Sequence, residues 1–187
     1  ANAVQVGGQA VRPGVTTQEI NDTIHRYILS EGATPSFLGY GGFPASACVS
    51  VNEVVIHGIP DNRVVHEGDI VSIDVGAYFE GFHGDNAATF ACGNISAEAQ
   101  SLMDVTKECL YRGIAAAVVG NRIGDISSAV QQHADAFGYG IVRDFVGHGV
   151  GSDMHEDPQV PNYGPAGRGP RLIEGMTIAI EPMINLG

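Results

Sequence analysis

Three carboxylates and one imidazole stand out by their surroundings: Asp74, Asp85, His148 and Glu181. Asp74 lies in Asp69-Ile-Val-Ser-Ile-Asp-Val-Gly-Ala-Tyr78. Alternation there predicts a strand with Val71, Ile73, Val75 and Ala77 on one face and Ser72, Asp74 and Gly76 on the other. Asp is a poor strand former, so its place among β-branched neighbours asks for a reason. Asp85 follows eleven residues later, past Glu80-Gly81, which reads as a two-residue hairpin loop. Such a hairpin sets the two Asp residues opposite or diagonal on one face, with Cβ atoms roughly 4.5–8 Å apart. Two like charges at that separation repel, and one carboxyl stays protonated unless a cation joins them. Hard divalent cations favour oxygen ligands, and a two-metal site needs bridging carboxylates. The competing reading is a solvated sheet face.

His148 sits in Val146-Gly-His-Gly-Val-Gly151. Glycine on both sides lets the backbone pack tightly while the ring projects inward, and neutral imidazole is the commonest metal ligand. An ordinary loop His is the alternative. Glu181 closes Met176-Thr-Ile-Ala-Ile-Glu-Pro182, in which Met176, Ile178 and Ile180 face one way and Thr177, Ala179 and Glu181 the other. A buried Glu needs a partner, either a metal or an arginine such as Arg168 or Arg171. Taken jointly, the four donors suit Mn²⁺, Fe²⁺, Co²⁺ or Zn²⁺ and point to metal-assisted hydrolysis. His57 and His155 fit helper roles, donating to a substrate carbonyl or a tetrahedral oxyanion, or else are turn and loop histidines. His25, His66 and His133 read as surface residues.

The elements that must carry these groups follow from pattern. Thr16 and Glu19 form a capping box. The helix it starts has Ile20, Ile24, Tyr27 and Ile28 as its apolar stripe, Asn21, Asp22 and Arg26 on the wet side, and its end at Gly32. Residues 34–47 read as a Gly- and Pro-rich loop. Strands are expected over 48–56, 69–78, 83–92, 141–146 and 176–180. Ser96 caps a helix over 97–119, and Asp125 caps another through Phe137. The spacing of Val15, His25 and Gly32 returns at Ile123, His133 and Gly140, which suggests two similar halves.

Bulk properties bound the function. A chain of 187 residues, 44% hydrophobic and 16% charged, suits one globular domain or two fused halves. A net charge of −12 argues against nucleic-acid binding. No apolar run approaches the roughly 20 residues of a membrane helix. The N-terminus lacks the basic and apolar regions of a secretory signal. Three widely spaced cysteines, Cys48, Cys92 and Cys109, form no disulfide framework, so a cytoplasmic location is expected.

Several stretches together resemble the type I methionine aminopeptidases of the pita-bread metallopeptidase family. They are Gly42-Phe-Pro-Ala-Ser46, Ser50-Val-Asn-Glu-Val-Val-Ile-His-Gly-Ile-Pro60, Gly68-Asp-Ile-Val-Ser-Ile-Asp-Val75, His83-Gly-Asp85, Gly147-His-Gly-Val-Gly151, His155-Glu-Asp-Pro158 and Glu181-Pro-Met183. The resemblance implies an α+β pita-bread fold, an antiparallel curved sheet with helices on its outer face, in pseudo-twofold halves. It implies removal of the N-terminal methionine from nascent proteins and peptides with two divalent metal ions (Mn, Fe, Co or Zn). In that reading Asp74 holds the ion nearer the substrate's amino group, Asp85 holds both, and His148 and Glu181 hold the other. Water activated there attacks the first peptide carbonyl. His155 stabilises the carbonyl oxygen, and His57 contacts the substrate backbone nitrogen. Tyr40, Phe43, Cys48 and Met154 map to the methionine pocket. Thiol, thioether and aromatic groups suit an unbranched sulfur side chain, although such a set also serves as a loop-anchoring core.

The family's second bridging Glu has no counterpart before Gly187, so the second metal is expected to bind weakly. Residues 1–187 are expected to form a single catalytic domain lacking the family's N-terminal and C-terminal segments. The expected partners are polypeptide N-termini, with neither nucleic acid nor membrane, and the protein is expected to act as a monomer. A prolidase-like, Xaa-Pro-directed peptidase and a non-catalytic binding member of the same fold are the alternatives.

Overall fold

The computed structural model describes residues 1–186. Two helices precede four strands, and two further helices precede four more, a segregation into runs that fits the expected α+β class. Contacts divide the chain into two compact units: Ala1–Ala97 with Ser152–Met154, and Glu98–Gly151 with His155–Gly187. No helix among the described residues is long and apolar enough to cross a membrane.

The first unit contains helices α1 (Asn2–Ala10) and α2 (Thr17–Ser30) and strands β1 (Thr34–Pro35), β2 (Cys48–Val51), β3 (Ile70–Phe79) and β4 (Phe82–Ala91). All pairings are antiparallel. β4 pairs with the whole length of β3, while β2 and β1 pair with its first and last parts. The hairpin turns at Glu80 (φ 49°) and Gly81 (φ 93°). Two positive φ values in a two-residue loop match the right-handed twist of the strands it joins. Alternation then sorts the side chains. Val71, Ile73 and Val75 enter a core with Val49, Val51, Ile20, Ile24 and Ile28, and Ser72, Asp74 and Gly76 take the opposite face. The capping box forms as expected, with Thr16 accepting from the Glu19 N–H at 3.1 Å and the Glu19 carboxylate accepting from the Thr16 N–H at 2.8 Å.

The second unit contains α3 (Ala97–Ala116), α4 (Ile123–Ala136), β5 (Gly140–Ile141), β6 (Gly147–Gly149), β7 (Glu156–Val160) and β8 (Ile184–Asn185). β5 pairs with β8 and β6 with β7. Met176, Ile178 and Ile180 pack on a core of Ile123, Ile126, Val160 and Leu172, as their alternation requires.

The sequence echo has a structural basis, in a different register. Gly14 (φ 90°) and Gly120 (φ 94°) each precede a helix of 14 residues. The Gly14 N–H donates to Val65 O (2.8 Å) and that of Gly120 to Leu172 O (3.1 Å). Thr17 donates to Arg63 O and Ile123 to Pro170 O, both at 3.0 Å; Gln18 donates to Asp61 O and Gly124 to Arg168 O, both at 2.9 Å. Glu19 and Asp125 each accept from the backbone N–H of the capping residue, Thr16 or Arg122. Those bonds hold both carboxyls below the usual carboxylate range. Buried Ile20, Ile24 and Ile28 correspond to buried Ile126, Val130 and Ala134. This match is two positions out of step with the echo, so His25 corresponds to Gln131 rather than to His133.

Four local expectations need correction. Asp125 is not the cap of α4; the cap is Arg122, and Asp125 is the third residue of the helix. β2 stops at Val51 because Asn52 (φ 53°) and His57 (φ 57°) leave the extended region. β5 spans two residues, not six. Residues 176–180 form only a bridge, Gly149 with Ile178, supported by bonds from the Ala179 N–H to His148 O (2.7 Å) and from the Val150 N–H to Thr177 O (3.3 Å).

Candidate active site

Asp74 and Asp85 share one face of the first unit's sheet. Asp74 stands opposite Ala87 and Cys48, and Asp85 stands opposite Gly76. They are therefore diagonal neighbours, one of the two expected arrangements, and both are half-buried. Farther along this face Ser72 Oγ and Thr89 Oγ1 bond at 2.8 Å. Burial, then the charges of Asp74 and Asp85, push the Cys48 thiol up to about 12. It therefore stays neutral at physiological pH, a wall rather than a nucleophile.

Cys48 (4% exposed) clusters with Phe37 and Met154, and Phe43 packs against them. Three of the four pocket residues expected from the resemblance thus meet. Tyr40, in the turn Tyr40–Gly42, lies outside this cluster and is half exposed. Phe37 joins in its place. The bare Cα of Gly76 admits it: a Cβ there would lie 2.6 Å from the Phe37 ring. His57 is exposed in the positive-φ segment after β2.

The segment leading into Cys48 is clasped from α2, by residues read from sequence as solvent-facing. Asn21 is buried, and its Oδ1 accepts from the N–H groups of Ser46 (2.9 Å) and Ala47 (3.2 Å). His25 Nδ1 bonds the buried Ser46 hydroxyl at 2.8 Å. Helical periodicity sees only the apolar stripe and has no signal for an amide whose partners lie 25 residues away. Asn21→Ala leaves two buried donors unsatisfied, at about 1–3 kcal/mol each. A loss of about 2–4 kcal/mol in urea-unfolding stability is expected. A change below about 0.5 kcal/mol would show that water replaces the amide.

In the second unit His148 and Glu181 meet. His148 is buried on β6, and its Nδ1 donates to Gly149 O at 2.7 Å. A carbonyl only accepts, so Nδ1 carries the hydrogen. The other ring nitrogen, Nε2, stands 3.5 Å from Glu181 Oε1. An imidazolium proton or a cation held by both groups would join them at this distance. Ligands roughly 2.0–2.2 Å from one tetrahedral ion stand about 3.4 Å apart, so the pair fits two donors of a single metal. His155 lies beside it, its ring centroid 4.1 Å from that of His148, and is exposed. Arg171, a candidate partner for Glu181, donates instead to Gly120 O. Among the described residues no three His, Cys, Asp or Glu side chains form a metal-holding group.

Comparison with known proteins agrees along the whole chain. Residues 1–187 match the model of metallopeptidase family M24. A methionine aminopeptidase of Clostridium acetobutylicum is 57% identical over 180 residues, covering 96% of this chain and 72% of the relative. Methionine aminopeptidase 1 of Bacillus subtilis is 51% identical over 177 residues, covering 95% and 71%. The crystal structure of methionine aminopeptidase from Rickettsia prowazekii superposes with a TM-score of 0.97 at 41% identity, over 100% of this chain and 75% of that one. The prolidase of Pyrococcus furiosus is more distant, with a TM-score of 0.82 at 25% identity, over 97% and 51%. These neighbours share the pita-bread fold, which is the fold of this chain. The chain belongs to metallopeptidase family M24 and, within it, to the methionine aminopeptidases.

Proposed function

We propose that this protein removes the N-terminal methionine from nascent proteins and peptides in the cytoplasm, as a metal-dependent aminopeptidase acting as a monomer. The observation that carries the reading is the His148–Glu181 pair, with Nδ1 committed to a carbonyl and Nε2 turned to a carboxylate oxygen at 3.5 Å. Asp74, Asp85, His148 and Glu181 would hold divalent ions of the Mn, Fe, Co or Zn class. When bound, the ions supply Lewis acidity and a water of near-neutral pKa.

The chain's own residues do the rest. Phe43, Cys48 and Met154, joined by Phe37, offer a flexible, sulfur-lined surface for an unbranched thioether, and Tyr40 contacts its outer part. The neutral Cys48 thiol adds no charge to that pocket. His155 donates a hydrogen bond to the scissile carbonyl oxygen, where negative charge builds in the transition state. His57 contacts the substrate backbone nitrogen. Identity favours the methionine enzyme over the Xaa-Pro enzymes, at 57% against 25%.

The metal-loaded protein is expected to release free methionine from a Met-Ala-Ser peptide, and nothing from Lys-Ala-Ser or Ala-Pro. Cleavage of Ala-Pro alone would turn the assignment to a prolidase. Calorimetry without a heat of Mn²⁺ or Co²⁺ binding would bring the non-catalytic reading forward.

A further inference from the structure

We infer that Asn162 is a positioning residue that sets the Glu181 backbone against the His148 strand. Asn162 is 1% exposed, and its Nδ2 donates to the Glu181 carbonyl at 3.0 Å. It lies two residues beyond β7, the strand that pairs with His148-bearing β6 through Gly147–Val160 and Gly149–Glu156. On its other side the His148 carbonyl accepts from the Ala179 N–H at 2.7 Å. The backbone around Glu181 is thus tied to the His148 strand twice, directly at Ala179 and through β7 and Asn162 at Glu181 itself.

The second tie stands where the first runs out. Pro182 follows Glu181 and has no N–H to continue a ladder. A side-chain amide therefore fixes the carbonyl that the backbone leaves. A fully buried amide is costly unless bonded, and an apolar residue of the same shape would fill the space as well. What the amide adds is direction: it fixes the peptide from which the Glu181 carboxylate reaches the His148 Nε2.

This inference rests on the reading that His148 and Glu181 hold a metal. The test is Co²⁺ titration of the metal-free protein, followed by the visible absorption of the bound ion, on wild type and on Asn162→Leu. Leu keeps the volume and removes the donor. Thermal unfolding is measured in parallel without metal. Outer-shell partners of metal ligands are typically worth about 10–100-fold in affinity. The folded variant is expected to bind Co²⁺ weaker by about that factor, with an altered absorption band. A lower Tm with unchanged Co²⁺ affinity would overturn the inference and leave Asn162 a packing residue. If the Leu variant does not fold, Asn162→Gln keeps a donor displaced by one methylene; a loss of affinity there supports the inference and wild-type affinity overturns it. Failure of wild type itself to bind Co²⁺ would instead overturn the metal reading beneath it.

Discussion

His148→Ala is expected to lower kcat/KM for Met-Ala-Ser by about 10³-fold or more while the protein stays folded. A Lewis-acidic ion contributes several kcal/mol to transition-state stabilisation, and each ~1.4 kcal/mol is tenfold in rate. Without the imidazole, the proposed donor pair of the second unit keeps Glu181 alone. The companion variant Asp85→Asn separates a ligand from a structural residue. Asp74 and Asp85 are diagonal neighbours on one sheet face. The isosteric amide keeps the shape and removes the charge that a cation needs. Asp85→Asn is therefore expected to stay folded by urea unfolding, yet to lose activity to a similar degree. Full activity in either variant would remove that residue from the ligand set. A large drop in stability of metal-free Asp85→Asn would mean that the carboxylate is held by the fold rather than kept for a cation.

The second large effect concerns the glycines beside His148. A Cβ at Gly149 would lie 2.4 Å from Asp157 O and 2.9 Å from Glu156 O, and one at Gly147 would lie 2.3 Å from Ala179 O. Every one of these neighbours is backbone, so no side chain can rotate away. β6 would have to leave β7 on one side or the 176–180 segment on the other. Gly149→Ala is expected to cost about 3 kcal/mol, at the upper end of overpacking in a filled core. It should also lower metal affinity in the folded fraction, because the His148 backbone moves with it. Gly84→Ala is the control. It adjoins Asp85, yet its Cβ would meet only Ala77 O at 3.9 Å, and a change within about 0.5 kcal/mol is expected. Urea denaturation of the two variants side by side decides; equal midpoints would refute the steric account.

Much of this protein was determined by local pattern. Strict alternation in 69–78 and a Glu-Gly pair with no room for a longer loop make the hairpin, because pleat and turn are set by adjacent residues; the diagonal placement of Asp74 and Asp85 follows. The Thr16–Glu19 capping box is local for the same reason. So is the close packing allowed by Gly147 and Gly149. The repeat was half legible. A second signal for it stood in the text: Glu67-Gly68 and Glu174-Gly175 each lead, six residues past the glycine, to Asp74 and Glu181. The histidine spacing pointed to the wrong register, since identity at a few positions is weaker than the bonds that pair Thr17 with Arg63 and Ile123 with Pro170.

Tertiary structure alone decided the rest. Polar residues such as Asn21 and Asn162 look solvent-facing by composition, and their burial depends on distant donors and carbonyls that no local window contains. The short extents of β2 and β5 were equally invisible, because an apolar run does not reveal where φ turns positive or where a pairing partner ends. The Nδ1 hydrogen of His148 is placed by a carbonyl, and its neighbour across Nε2 is a carboxylate on a separate segment of the chain. Sequence supplies the donor types; only the folded backbone brings His148 Nε2 and Glu181 Oε1 within 3.5 Å of each other.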